Sequence, residues 1–290
     1  MRRRGAGPGG SDEVGGRFKR TLREPNGGQD VTVEDTPELV NYRTLGRIAV
    51  LTLNRPPVNA LARPLWLALG DALDRVAADE SIHVAILTGQ GTRAFCGGAD
   101  LKELLADTDE DRQIRHRDIT PIQMKLVNAP VPVICAINGP AVGAGVGLAS
   151  HCDIRIVVDT AHFSMTEVDR GTAAGGGAQL RRLGIPSGPL RKMLYTGRRI
   201  SAQEALEIHL VDEVVPSEDL MTVALELAAS IAAKSREALV VLKEAILEVE
   251  VEPDWKAAYA RTHRLTDRIA VSEGAREGLT AFFEKRTPVY

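Results

Sequence analysis

The run from Val131 to Ala149 constrains the fold most. An apolar stretch, Val131-Pro132-Val133-Ile134-Cys135-Ala136-Ile137, meets Asn138-Gly139-Pro140-Ala141-Val142-Gly143-Ala144-Gly145 and continues as Val146-Gly147-Leu148-Ala149. A short β-branched run bounded by turn residues reads as a buried strand, and the residues beyond the glycines are helix-compatible. The expected unit is a strand, a tight loop and a helix whose first turn carries almost no side chains. Such a helix start leaves backbone N–H groups without intrahelical acceptors, with the positive end of the helix dipole behind them. It suits an oxygen that becomes negative during a reaction.

The residues before this run extend the same pattern. Leu39 to Arg43 and Ile48 to Leu53 flank Leu45-Gly46-Arg47 and predict a hairpin. The two prolines of Asn54-Arg55-Pro56-Pro57-Val58-Asn59-Ala60-Leu61 exclude regular structure there. Leu65, Leu69, Leu73 and Val76 recur at helical spacing in Arg63 to Ala78, with Pro64 suited to a first turn. Val84 to Thr88 is a buried strand, and Ala94-Phe95-Cys96-Gly97-Gly98-Ala99-Asp100-Leu101-Lys102 is a second glycine-rich loop, with Asp100 poised to cap a helix from Leu101. A polar helix over 111–127 precedes the Val133 strand. Strand and helix alternate, which predicts an α/β fold with a largely parallel sheet.

From Ser201 onward the pattern is all helical, with segments near Leu220 to Ala233, Ser235 to Val249, Trp255 to Ile269 and Glu273 to Arg286. Residues 1–35 are rich in Gly and Arg and carry few sizeable apolar groups, so burial cannot offset the entropy of ordering them. The expected organisation is a disordered tail over 1–35, an α/β core over 36–200 and a helical region over 201–290 that supports oligomerisation.

Charge and cysteine usage narrow the function. A net charge of −3 gives no bulk attraction to nucleic acid, and the 63–78 helix sets Arg63 and Arg75 against Asp71 and Asp74. No run of ~18 apolar residues exists, so no membrane-spanning helix is expected. Cys96, Cys135 and Cys152 lack any CxxC pairing and read as reduced thiols of a cytoplasmic protein. Arg2-Arg3-Arg4 has no hydrophobic stretch after it and is not a secretory signal. Gly175-Gly176-Gly177 lacks the Lys-Ser/Thr of a P-loop and reads instead as a close-packing turn into a helix carrying Leu180 and Leu183, and no His/Cys/Asp group has metal-ligand spacing. No cofactor is expected.

Five segments in order resemble the crotonase, or enoyl-CoA hydratase/isomerase, superfamily: 54–61, 94–102, 138–153, Tyr195-Thr196-Gly197-Arg198-Arg199-Ile200 and Ala281-Phe282-Phe283-Glu284-Lys285-Arg286. The resemblance implies a crotonase-like spiral of ββα units with a C-terminal helical region, a homotrimer or dimer of trimers, and acyl-CoA thioester substrates, with coenzyme A part of the substrate. It implies that the thioester oxygen is held by the amides of Ala99 and Ala144, although the family usually has Gly at the second position. Arg55, Ala60, Gly98, Asp100, Gly143 and Gly147 would line the substrate. Phe282 and Lys285 would reach coenzyme A, from this subunit or a neighbour.

Hydratases of this family set two glutamates across the substrate. Here the first position is Gly147, which has no carboxylate, and the second is Glu167. Water addition divides naturally between two carboxylates, whereas moving a double bond from the 3,4 to the 2,3 position needs one base that takes a proton from C2 and returns it to C4. The pattern therefore resembles most the one-glutamate enoyl-CoA isomerases. Hydration by one glutamate and decarboxylation remain as alternatives, and a non-catalytic acyl-CoA or RNA binder is the reading from a different class. Asp169, two residues on, is expected to point elsewhere and to pair with Arg170 or another cation. His151, one turn beyond Gly147, is expected to be a packed or hydrogen-bonded core histidine. Acyl selection is expected to depend on residues such as those of 104–122.

Overall fold

The computed structural model describes residues 18–22, 31–35, 38–173 and 175–290, the first two stretches by backbone alone. The chain divides into two units, Met1–Glu38 and Leu39–Tyr290. In the first, β1 (Phe18–Leu22) and β2 (Val31–Asp35) pair antiparallel, with Phe18 opposite Asp35. The remainder of the expected 1–35 tail lies outside the described residues.

The second unit begins with the expected hairpin of β3 (Val40–Leu45) and β4 (Ile48–Leu53), which turns at Gly46 with a φ of +57°. Helix α1 (Arg63–Ala78) follows, and its Leu65, Leu69, Leu73 and Val76 are buried as their spacing requires. Next come β5 (Val84–Gly89), α2 (Leu101–Ala106) and α3 (Asp109–Val127), the last started by a reciprocal cap between Thr108 and Asp111. The central stretch supplies β6 (Val133–Ile137), β7 (Ala141–Val142), α4 (Ala144–Ser150), β8 (Ile154–Val158) and β9 (His162–Ser164). Two 3-10 segments, Val168–Arg170 and Ala178–Leu183, lead to α5 (Ser187–Thr196), β10 (Ile200–Ser201), α6 (Ala202–Glu207) and β11 (Glu213–Val215). Helices α7 (Leu220–Ala232), α8 (Arg236–Val251), α9 (Trp255–Ile269) and α10 (Glu273–Glu284) complete the chain.

Six strands form the main sheet in the order β11-β8-β6-β5-β4-β3, parallel throughout except for β3. Every residue of β5 and β6 is buried, as a parallel sheet covered on both faces demands. Helix α7 packs on β4, β5, β6 and β8, and its fully buried Ala224 and Ala228 let its backbone approach closely.

A second, smaller layer carries β10-β9-β7 and is prolonged by single bridges, Cys96 to Ala141 and Leu61 to Ala99. Cys96, Ala141, Phe163 and Ile200 thus stack from one turn of the chain to the next, and all four are buried. The chain winds as a spiral in which a turn lays one strand in the large sheet and a short partner in the small one. This layer holds the loops that follow β5 and β6 side by side.

Two local expectations need correction. The region from Ser201 is not all helix, because Glu213–Val215 pairs with β8 at the edge of the main sheet. The segment carrying Leu180 and Leu183 is a 3-10 stretch, closed at Gly184 with a φ of +75°. Helix α8 is pinned to the core by the buried Lys243, which bonds Asp153 at 2.7 Å and the Val131 carbonyl at 3.2 Å.

Candidate active site

The first glycine-rich loop is fixed by strand-like bonds to the segment before α1. Gly97 donates to the Val58 carbonyl at 2.7 Å, Leu61 to Gly98 at 2.7 Å, and Asp100 to Leu61 at 3.3 Å. This bridge uses the Gly98 carbonyl and the Asp100 amide, so the Ala99 N–H is turned away from Leu61. Gly98 has a φ of +91°, and a Cβ there would lie 2.6 Å from the Val142 carbonyl oxygen and 3.6 Å from the Ala144 nitrogen. Only glycine lets the two loops come this close.

Asp100 caps α2 as expected, accepting from the amides of Lys102 and Glu103. It also takes a 2.5 Å bond from Arg55, whose other guanidinium nitrogen donates to the Ala60 carbonyl at 2.9 Å. The Arg55 guanidinium holds the Asp100 carboxyl below the usual carboxylate range. Arg55, Ala60, Gly98 and Asp100 therefore form one bonded cluster beside the loop, and Arg55 spends two donors inside it.

The second loop is held by Val142 donating to Cys96 at 3.0 Å and Gly143 donating to Ser164 at 2.8 Å. Gly143 is the N-cap of α4 with a φ of +51°, and no side chain caps the helix. The Ala144 amide is the first of the helix and has no intrahelical acceptor. Gly145 packs its Cα on Cys96, where a Cβ would lie 2.5 Å from the carbonyl oxygen. Burial pushes the Cys96 thiol up to about 12, so this cysteine is packing material and no nucleophile.

Glu167 stands three residues after the Ser164 carbonyl that holds Gly143, at the head of a 3-10 turn. Its backbone carbonyl accepts from the amides of Arg170 and Thr172 and from the Thr172 hydroxyl, at 3.0, 3.1 and 3.0 Å. The side chain reaches the α4 cap: a Cβ on Gly143 would lie 2.6 Å from Glu167 Oε1. Glu167 Oε2 is buried without a hydrogen-bond partner. A buried acceptor with no donor is rare and calls for an explanation. Gly147, one turn further along α4, is buried, yet a Cβ there would meet nothing within 4 Å. The position that would carry a second carboxylate faces open space.

The structure thus brings Ala99, Ala144, Gly143, Gly147 and Glu167 into one site beside Gly98, Asp100, Ala60 and Arg55. Phe282 and Lys285 are not brought there. Phe282 is 77% exposed and stacks edge-on with Phe283, and Lys285 closes α10 in a left-handed conformation. Asp169 points elsewhere as expected but does not pair with Arg170. Its carboxylate lies against Gly197, and Arg170 donates to the Thr166 hydroxyl at 3.0 Å. His151 is the C-cap of α4 and, as expected, packs into the interior and hydrogen-bonds Gln179, while its Nδ1 is buried without a partner.

Two asparagines organise the site without having been assigned a role from sequence. Asn59, buried and at a φ of +52°, donates to the carbonyls of Gln90, Ala94 and Phe95 and accepts from the Arg55 amide. Asn138 exchanges bonds with both backbone groups of Gly89 and donates to Gly91. Their signal was an Asn inside a Gly/Pro-rich loop, where it tolerates positive φ and carries both donor and acceptor. Among the described residues no group of three or more His, Cys, Asp or Glu is arranged to hold a metal ion, and no helix is long and apolar enough to cross a membrane.

The family model described as enoyl-CoA hydratase/isomerase matches residues 43–290. The chain is similar to the 2,3-dehydroadipyl-CoA hydratase of Escherichia coli (strain K12), at 36% identity over 245 residues covering 83% of this chain and 94% of that one. It is similar to the carnitinyl-CoA dehydratase of Proteus mirabilis (strain HI4320), at 36% over 253 residues covering 86% and 97%. Among solved structures, the crystal structure of an enoyl-CoA hydratase from Bacillus anthracis superposes with a TM-score of 0.82 at 36% identity, covering 87% of this chain and 98% of that one.

Proposed function

The chain belongs to the enoyl-CoA hydratase/isomerase family and has its α/β crotonase fold, and from that premise we propose that it shifts the double bond of a 3-enoyl-CoA to the 2 position with Glu167 as the single base. The observation that carries the reading is the pairing of an unpartnered carboxylate oxygen on Glu167 with an empty face at Gly147. Glu167 removes a proton from C2, and the electron pair moves through C3 so that C4 becomes nucleophilic. The same proton returns to C4. No atom is gained or lost, so no second acid is required. During the transfer the thioester oxygen carries the negative charge, and the Ala99 and Ala144 amides donate to it. Each such donor lowers the barrier by ~2.7–4 kcal/mol.

Hydration is the second reading, favoured by the hydratase and dehydratase among the relatives. In it, the space at Gly147 holds a water that Glu167 activates. The C-terminal helices, with exposed Trp255, Tyr259, Phe282 and Phe283, fit a homotrimer in which Phe282 and Lys285 of one subunit meet the coenzyme A of another.

The deciding experiment incubates the protein with 3-enoyl-CoA and 2-enoyl-CoA of several chain lengths and follows products by mass. Conversion of the 3-enoyl to the 2-enoyl thioester without water uptake is expected, and Glu167→Gln lowers kcat by ~10²–10⁴-fold. Water addition to 2-enoyl-CoA with no double-bond shift sinks the isomerase reading. Gly147→Glu supplies the missing carboxylate in open space and is expected to add hydration.

A further inference from the structure

Three segments, 58–61, 94–99 and 138–142, lie side by side in the small layer, and their backbone pairing is thin. The first two share the Gly97 to Val58, Leu61 to Gly98 and Asp100 to Leu61 bonds. The last two share Cys96 to Pro140 at 3.3 Å and Val142 to Cys96 at 3.0 Å. Single bridges of this kind specify register weakly, because no long ladder and no alternating pattern opposes a slip. The register still decides where Ala99 lies along the second loop, whose Ala144 nitrogen is 3.6 Å from the place a Gly98 Cβ would take.

Two side chains supply what the ladder lacks. Asn59 belongs to the first segment and Asn138 to the third, and both reach the root of the middle one. Asn59 Nδ2 donates to the carbonyls of Gln90, Ala94 and Phe95 at 3.1, 3.1 and 3.2 Å. Asn138 Nδ2 donates to the carbonyls of Gly89 and Gly91 at 2.8 and 2.6 Å, and its Oδ1 accepts from the Gly89 amide at 3.1 Å. The two amides converge on one point: a Cβ on Gly89 would lie 2.9 Å from Asn59 Nδ2, 3.0 Å from Asn138 Oδ1 and 2.6 Å from the Phe95 carbonyl oxygen. The end of β5 and both ends of the turn leading to Ala99 are thus gripped from either side. Asn138 also opens the loop that ends at Ala144, so the same side chain is tied to both loops.

We propose that Asn59 and Asn138 are positioning residues: they set the register of the Ala99 amide against the Ala144 amide, and that register sets how strongly a thioester carbonyl is polarised. The assignment rests on the acyl-CoA reading above and holds for either enoyl-CoA reaction. Both asparagines act through backbone groups.

Butyryl-CoA, isotope-labelled at the thioester carbonyl, tests it without turnover. Donation from two amides weakens a C=O bond, so difference infrared spectra of the bound ligand are expected to show a carbonyl stretch below that of the free thioester. Asn138→Asp keeps the size and the Oδ1 acceptor but sets an oxygen against the Gly89 and Gly91 carbonyls, and Asn138→Ala removes all three bonds. Asn59→Gly suits the φ of +52° and removes the other set. Each is expected to return the stretch toward the free value. Each is also expected to lower kcat about 10²-fold on the enoyl-CoA the parent turns over, the scale of a misplacement near 1 Å, with KM changed by less than about 3-fold. Lys243→Met, which loosens α8 away from these loops, is expected to lower stability without moving the stretch. An unchanged stretch in the asparagine variants, or an equal change in Lys243→Met, overturns this assignment alone. Failure of all three asparagine variants to fold assigns the bonds to folding and overturns it too. A parent that does not bind butyryl-CoA, or binds it with no shift, overturns the acyl-CoA or amide-donor reading and this assignment with it.

Discussion

Gly143 and Gly147 stand one helical turn apart, and their surroundings are opposite. At Gly143 the backbone has a φ of +51° and a side chain would strike Glu167; at Gly147 the helix is regular and a side chain would strike nothing within 4 Å. The first glycine is required by close approach and conformation together. The second is a vacancy. Two glycines that look alike in a Gly-rich loop therefore carry different information, one about how the Glu167 carboxylate is brought to the helix start and the other about open space one turn further on.

The contrast can be broken by substitution. Gly98→Ala is expected to have the largest effect, because its Cβ would meet the Val142 backbone oxygen at 2.6 Å from a φ of +91°. Backbone cannot step aside as a side chain can, so a loss of ~1–3 kcal/mol from the conformation alone is a lower bound, read by chemical denaturation. Gly143→Ala should be milder for stability, since the atom it meets is the end of the flexible Glu167 side chain. There the expected result is displacement of the carboxylate, seen as a kcat loss on enoyl-CoA larger than any change in KM. Gly147→Ala is expected to stabilise the protein by ~0.5–1 kcal/mol, as Gly→Ala does inside a regular helix with room for the methyl. A destabilisation at Gly147 would mean that its face is not open.

The smallest effect concerns the Arg55–Asp100 pair. Its folded carboxyl pKa is depressed, so its contribution to stability is fully present above the ordinary Asp value and is lost as pH falls through the folded one. Asp100→Asn keeps an N-cap and removes only the charge. The variant should therefore match the parent in acid and fall below it toward neutral pH, by an amount limited by the 34% exposure of the Arg55 side chain.

Much of this was legible in the residues. The α1 boundaries follow from four apolar residues at helical spacing and a proline in the first turn, and the Asp100 cap from its place before an apolar run. The β6-loop-α4 unit could be read because strand, glycines and helix are contiguous. Strands β7, β9 and β10 were not legible. Two or three residues carry no periodicity, and they are strands only because Ala141 meets Phe163 and Phe163 meets Ile200 across the spiral. The same holds for β11, whose partner β8 lies more than fifty residues earlier.

By itself, then, the sequence determined an α/β chain with two glycine-rich strand-to-helix loops, a carboxylate at Glu167 and none at Gly147, because these are matters of local spacing and residue type. Only the tertiary structure decided that the two glycine-rich loops meet where Gly98 approaches Val142 and Ala144, that the Glu167 carboxylate rests on the cap of α4 and that His151 faces a cavity at the other end of that helix. Those relations are set by non-local pairing in the second layer and by the packing of α8. No window of the chain contains both partners.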